Sequence, residues 1–100
     1  MAIEVLERGD LYEVRGSLNK ENVGSARAYF NSLLETKEVL LISLEYLEEL
    51  DQEAALFLEN FYRAAASQNK VALFFGSHND AVMATMKACK TAYILSADRY

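Results

Sequence analysis

Apolar positions along this chain follow two periods, and the switches between them mark out its elements. Residues 2–7 (AIEVLE) and 11–15 (LYEVR) read as short strands, the second alternating apolar and polar side chains with period two. Between them Arg8-Gly9-Asp10 reads as a tight turn in which Gly9 supplies any positive φ, so the two strands form a hairpin. Gly16 to Lys20 is a loop, and Asn22 is the candidate N-cap of the helix that follows. From Val23 the apolar residues Val23, Ala26, Tyr29, Phe30, Leu33 and Leu34 fall on one helical face. Gly24 weakens the first turn without forbidding it, and Lys37-Glu38 ends the helix.

Val39 to Leu44 is an apolar run suited to a strand buried on both faces. An acidic connector then leads to Leu50-Asp51, where a second helix starts at once and runs from about Gln52 to Ser67. Its stripe is Leu58, Phe61, Tyr62 and Ala65, with Ala55 and Leu56 one turn earlier. Asn69 suits the left-handed residue that stops it, because Asn tolerates that conformation. Val71 to Phe75 is another buried strand, Gly76-Ser77-His78-Asn79 turns the chain, and Asp80 to Lys90 forms a third helix. Asp80 at its start and Lys87 and Lys90 at its end complement the helix dipole. Thr91 to Leu95 closes as a short strand, and Ser96 to Tyr100 is a tail of at most one helical turn. The order ββαβαβαβ predicts one α/β domain over residues 1–100, with a mostly parallel mixed sheet and an N-terminal hairpin at its edge.

Charge and cysteine use narrow the function classes. Fifteen acidic against ten basic residues give a formal net charge of −5, and the basic residues are scattered. Phosphate-backbone affinity rests on clustered Lys and Arg, so a nucleic-acid partner is not expected. No apolar run nears the roughly 20 residues of a membrane span, so direct membrane insertion is not expected either. The start MAIEVLERGD lacks the basic opening and long apolar stretch of a signal peptide, and the single Cys89 builds no disulfide framework; both point to the cytoplasm. Arg8-Gly9-Asp10 is also a cell-adhesion tripeptide, but without a secretion signal it is read here as a turn.

Catalytic chemistry finds no constellation. His78, the sole histidine, has no nucleophile or carboxylate pair placed around it and reads as a solvated turn residue. Cys89 reads as a buried or half-buried thiol. One Cys and one His leave no metal-ligand spacing, and no Gly-rich phosphate loop is present, so neither metal nor cofactor is expected. Glu45, Glu48, Glu49, Asp51 and Glu53 form an acidic cluster that either attracts a cation or basic partner or is simply a solvated connector; the second is the simpler reading. Tyr12, Tyr46 and Tyr62 suit an interface or a core equally well.

Element order, with an Asp between a strand and the second helix, resembles the STAS family of sulfate-transporter tails and bacterial anti-sigma factor antagonists. The resemblance spans about Leu11 to Leu95. A Gly-x-Leu-Asp loop after the second strand stands here as Gly16-Ser17-Leu18-Asn19. An apolar residue followed by Asp-Ser-Ser-Gly stands as Leu50-Asp51-Gln52-Glu53-Ala54, and a strand ending in a Gly loop before a helix with an apolar pair stands as Phe75-Gly76-Ser77 and Ala81-Val82. In the family's antagonists the first Ser of that loop is phosphorylated by a partner kinase, and the phosphate weakens partner binding by charge and bulk. Gln52 holds that position here, and its amide accepts no phosphoryl group as a serine hydroxyl does. Asn19 for the loop Asp, Ser43 where Asp or Asn is common and Glu49 where an apolar residue is usual depart likewise.

The resemblance implies a non-enzymatic interaction domain without the serine switch. Its partner would be an anti-sigma factor or serine-kinase-like regulator. The implied docking corner comprises Ser17, Asn19, Lys20, Asp51, Gln52, Glu53, Ala54, Ser77 and Asn79. Asp51 is at least an N-cap, worth about 1 kcal/mol. Glu53 either complements the helix dipole or stands as a permanent charge beside the lost phosphosite. The alternatives are an accessory subunit of a lipid or anion transporter and a ligand-binding sensor that uses the same corner.

Overall fold

The computed structural model describes residues 3–96. Strands β1 (Ile3–Arg8) and β2 (Leu11–Leu18) form the expected antiparallel hairpin, pairing Val5 with Val14 and Arg8 with Leu11. Gly9 turns it at φ 62°, a conformation that suits a residue without Cβ. Helix α1 (Val23–Thr36) returns the chain to β3 (Val39–Ser43), parallel to the first part of β2. A further strand, β4 (Leu47–Leu50), pairs with the second part of β2. Helix α2 (Gln52–Ser67) leads to β5 (Val71–Phe75), parallel to β3, and α3 (Asp80–Ala88) ends the regular structure. The result is the expected mixed α/β sheet, in spatial order β1-β2-β3-β5 with β4 beside β2.

Four local expectations change. The acidic connector contains β4, where Leu47 and Leu50 are buried and Glu48 and Glu49 exposed. Thr91–Leu95 is not a ladder strand: Ala92–Ile94 is a 3₁₀ turn, and only Leu95 bridges Phe74. The third helix stops at Ala88, because Lys90 adopts φ 59° and Thr91 N donates to Met86 O at 2.8 Å. Asn22 holds the N-cap position of α1 without capping it, since its amide is used by the loop before it. Asn69 does stop α2 in the left-handed region, at φ 62°. Residues 97–100 of the expected tail, and Ala2 of the first strand, lie outside the described residues.

Burial along the strands shows where the helices sit. Tyr12 and Val14, Leu40 and Ile42, and Ala72 and Phe74 are buried with the apolar faces of α1, α2 and α3. Phe30 of α1 meets Phe57 and Phe61 of α2 at ring separations of 6.3 and 5.8 Å, which locks the two helices over the sheet. The alternate positions face the other way. Val39 is 54% exposed, Val71 46% and Leu73 36%, so β3 and β5 are not buried on both faces as their composition suggested. All crossovers run in one direction along the sheet, and right-handed connections then place every helix on one side.

Two backbone positions test this packing with opposite signs. A Cβ added at Gly76 would stand 3.2 Å from Leu44 Cβ and 3.3 Å from Val82 Cγ1, so Gly76→Ala should lower unfolding stability by about 1–3 kcal/mol. Lys90→Gly relieves a left-handed non-glycine residue and should raise stability by ~0.5–1 kcal/mol. Urea unfolding midpoints at unchanged m-value check both.

Candidate functional site

Asp51 stands between β4 and α2, and its carboxylate is divided between two segments. Oδ1 accepts from Ala54 N at 2.9 Å, the expected N-cap bond, and Oδ2 accepts from Lys20 N at 2.8 Å. One side chain therefore fixes the start of α2 and ties it to the loop after β2. A backbone bond from Asp51 N to Leu18 O and a side-chain bond from Asn19 Nδ2 to Glu49 Oε1 at 3.2 Å close the same seam. Within the loop, Asn22 Oδ1 accepts from Asn19 N and Asn22 Nδ2 donates to Ser17 O at 2.7 Å. The sequence reading assigned Asn22 to a cap; the structure uses it to shape the loop beside Asp51.

The implied docking residues fall into three groups. Lys20, Gln52 and Glu53 are exposed around Asp51, with Asn19 half-buried among them. Ser17 and Ala54 are buried beneath that surface and support it rather than present a side chain to a partner. Ser77 and Asn79 lie elsewhere. Asn79 Nδ2 donates to the carbonyls of Leu44, Glu45 and Leu47 at 3.2, 2.9 and 2.8 Å, at the start of β4, whereas Asp51 follows its end. A strand rising about 3.3 Å per residue separates the two by roughly 13 Å. Asn79 Oδ1 also accepts from Val82 N, so this one amide caps α3 and holds the bend between β3 and β4.

Polar features outside that corner come to light only in three dimensions. Glu13 is 5% exposed although it sits at a polar position of an alternating strand. Arg8 Nε reaches its Oε2 at 2.6 Å and Arg15 Nη2 its Oε1 at 2.9 Å, while the Arg15 guanidinium lies 4.8 Å over the Tyr46 ring. The i,i+2 spacing of Glu13 and Arg15 was the one sequence signal for this cluster. Of the three ambiguous tyrosines, Tyr12 is core, Tyr62 half-buried against it and Tyr46 exposed. Among the described residues no group of three His, Cys, Asp or Glu side chains could hold a metal ion, and no helix is long and apolar enough to cross a membrane.

Both tethers predict measurable losses. Asp51→Ala removes the cap and the Lys20 bond and should cost about 2 kcal/mol. Asn79→Ala removes a cap and the donor to three carbonyls and should cost ~2–4 kcal/mol. Asn79→Asp keeps the cap but turns an acceptor toward those carbonyls, so denaturant titration should place it no higher than the alanine variant.

Comparison with known proteins follows the same architecture. The anti-sigma factor antagonist SpoIIAA, in its unphosphorylated form, superposes with a TM-score of 0.72 at 12% identity, over 95% of this chain and 86% of that one. An anti-sigma factor antagonist from Mycobacterium paratuberculosis gives 0.65 at 12% identity, over 94% and 81%. At such identities the likeness is one of fold. No curated protein matches by sequence. The sequence model of the STAS domain matches residues 2–96, and the chain belongs to the STAS domain family.

Proposed function

We propose that this protein is a non-enzymatic interaction module, similar in role to anti-sigma factor antagonists, that docks an anti-sigma factor or serine-kinase-like regulator through the Asp51 corner. Its partner surface comprises Asn19, Lys20, Gln52 and Glu53, held in place by Asp51, with Ser17 and Ala54 beneath. Asn79 bears on docking by fixing the start of β4, and Ser77 stands in the turn that leads to Asn79.

The observation that carries the reading is Gln52 at the first position of α2, exposed beside a fully engaged Asp51. The amide N–H groups of Gln52 and Glu53 have no intrahelical acceptor, which suits them to acceptor oxygens of a partner. Glu53 and Glu49 add negative charge at the rim, and this suits cationic side chains. A phosphoryl group at this place would bring about −1.5 to −2 charges and three oxygens. Gln52 accepts none, so the corner stays in one charge state and binding runs without the serine switch.

Incubation with ATP and a serine-kinase-like partner of antagonist proteins, followed by mass spectrometry, tests this directly. No phosphate should appear on residues 50–54, while the unmodified chain still binds that partner. Phosphate in that segment, or no binding, would contradict the proposal. Co-purification with a membrane ATPase complex instead would favour the transporter-accessory reading.

A further inference from the structure

Strand β1 stands at the end of the sheet order β1-β2-β3-β5, and among the described residues no segment pairs with its outer edge. The two-residue turn at Gly9-Asp10 makes Arg8 and Leu11 the closing, hydrogen-bonded pair of the hairpin. Bonded pairs recur at every second residue, so Leu6 and Arg8 direct their N–H and C=O groups to β2. Val5 and Glu7 turn theirs outward. An edge of this kind is a template for another strand.

Side chains along the edge decide which strand fits. Glu4, Leu6 and Arg8 share the helix-free face, because their partners across the hairpin are Arg15, Glu13 and Leu11. Their order is acid, apolar, base, and in the antiparallel direction that order is its own complement. With Leu6 opposite Leu6 of a second copy, Glu4 meets Arg8 of that copy and Arg8 meets its Glu4. The same register sets Val5 opposite Glu7, the residues whose backbone groups point outward, so the ladder continues across the edge. A slip of two residues either way breaks both ion pairs.

The charged groups are available for this contact. Glu4 is exposed and joins no ion pair among the described residues. Arg8 holds Glu13 through Nε at 2.6 Å, and its side chain is 59% exposed, which leaves the Nη groups for a second carboxylate. Edge charges ordinarily discourage pairing, because most partner strands leave them unmatched; a second copy matches both. On the helix side, Ile3 and Val5 are half-buried and Tyr29 is exposed around an apolar cleft of about 300 Å³ between β1 and α1, which a strand added to β1 would help to cover. We propose that the protein associates with a second copy of itself by antiparallel pairing of β1 with β1, which makes one continuous sheet about a two-fold axis at Leu6.

The inference is independent of docking at Asp51 and is tested on the whole chain without any other partner. Sedimentation equilibrium between about 10 µM and 1 mM should show the mass rising from one chain to two, with a dissociation constant of about 100 µM or tighter. Over that range, amide exchange followed by NMR should slow at least about threefold at Val5 and Glu7. Glu7→Pro removes an outward N–H, leaves the hairpin bonds in place and should abolish association, whereas Glu7→Ala should retain it. Glu4→Arg, which sets like charges opposite each other, should weaken association at least about tenfold. The same change of charge at Glu38, before β3, should not. Each variant is checked for an unchanged amide spectrum away from β1. A single-chain mass at about 1 mM, exchange at Val5 and Glu7 independent of concentration, or a dimer indifferent to Glu7→Pro or to Glu4→Arg would each overturn the proposal.

Discussion

The constraint on which the structure depends is the forking of β2. Its first residues, Leu11 to Glu13, pair with β3, and its last, Gly16 to Leu18, pair with β4. Two parallel neighbours cannot occupy one edge at one height, so the chain must leave the sheet after Ser43 and rejoin it at Leu47. The partner changes between Glu13 and Gly16, and a register shift between Gly16 and Ser17, with Gly16 at φ 90°, follows within the β4 pairing. The excursion is held by Leu44 N donating to Phe75 O and by the Asn79 amide spread over three carbonyls.

The Asp51 corner and the recess on the helix-free face both follow from that fork. On one side β4 runs up to Asp51, whose carboxylate joins the start of α2 to the loop after β2. On the other, the excursion itself becomes the wall of a recess over Glu13, Ser43 and Phe75. The two therefore share Asn79 as a support. The corner carries the helix-start N–H groups of Gln52 and Glu53 and exposed acidic side chains.

How much of this could be read from the sequence depends on how local each cause is. The helices were legible because their apolar stripes repeat along one face, and Asp51 because an N-cap is decided within three residues. The left-handed stop at Asn69 was legible for the same reason, whereas Lys90 carries no such signal. In β4 the residues Leu47 and Leu50 are buried three apart, a spacing that does not alternate and so hides a strand. Val39, Leu41, Val71 and Leu73 show the converse: an uninterrupted apolar run is the same whether one face or both are covered. Glu13 looked like a solvated strand position, because its burial comes from Arg8 across the hairpin and from the excursion after β3. Ser77 and Asn79 were assigned to the Asp51 corner by family spacing, and the length of β4 separates them from it.

A partner docked at the Asp51 corner must cover the loop after β2 and the start of α2. Hydrogen-exchange mass spectrometry on the complex formed with a serine-kinase-like regulator measures that coverage. Slowed exchange concentrated in residues 18–21 and 51–56, with the helix-free strands β3 and β5 unchanged, is the predicted result. Protection over β3 and β5 with the Asp51 corner still exchanging freely would contradict it.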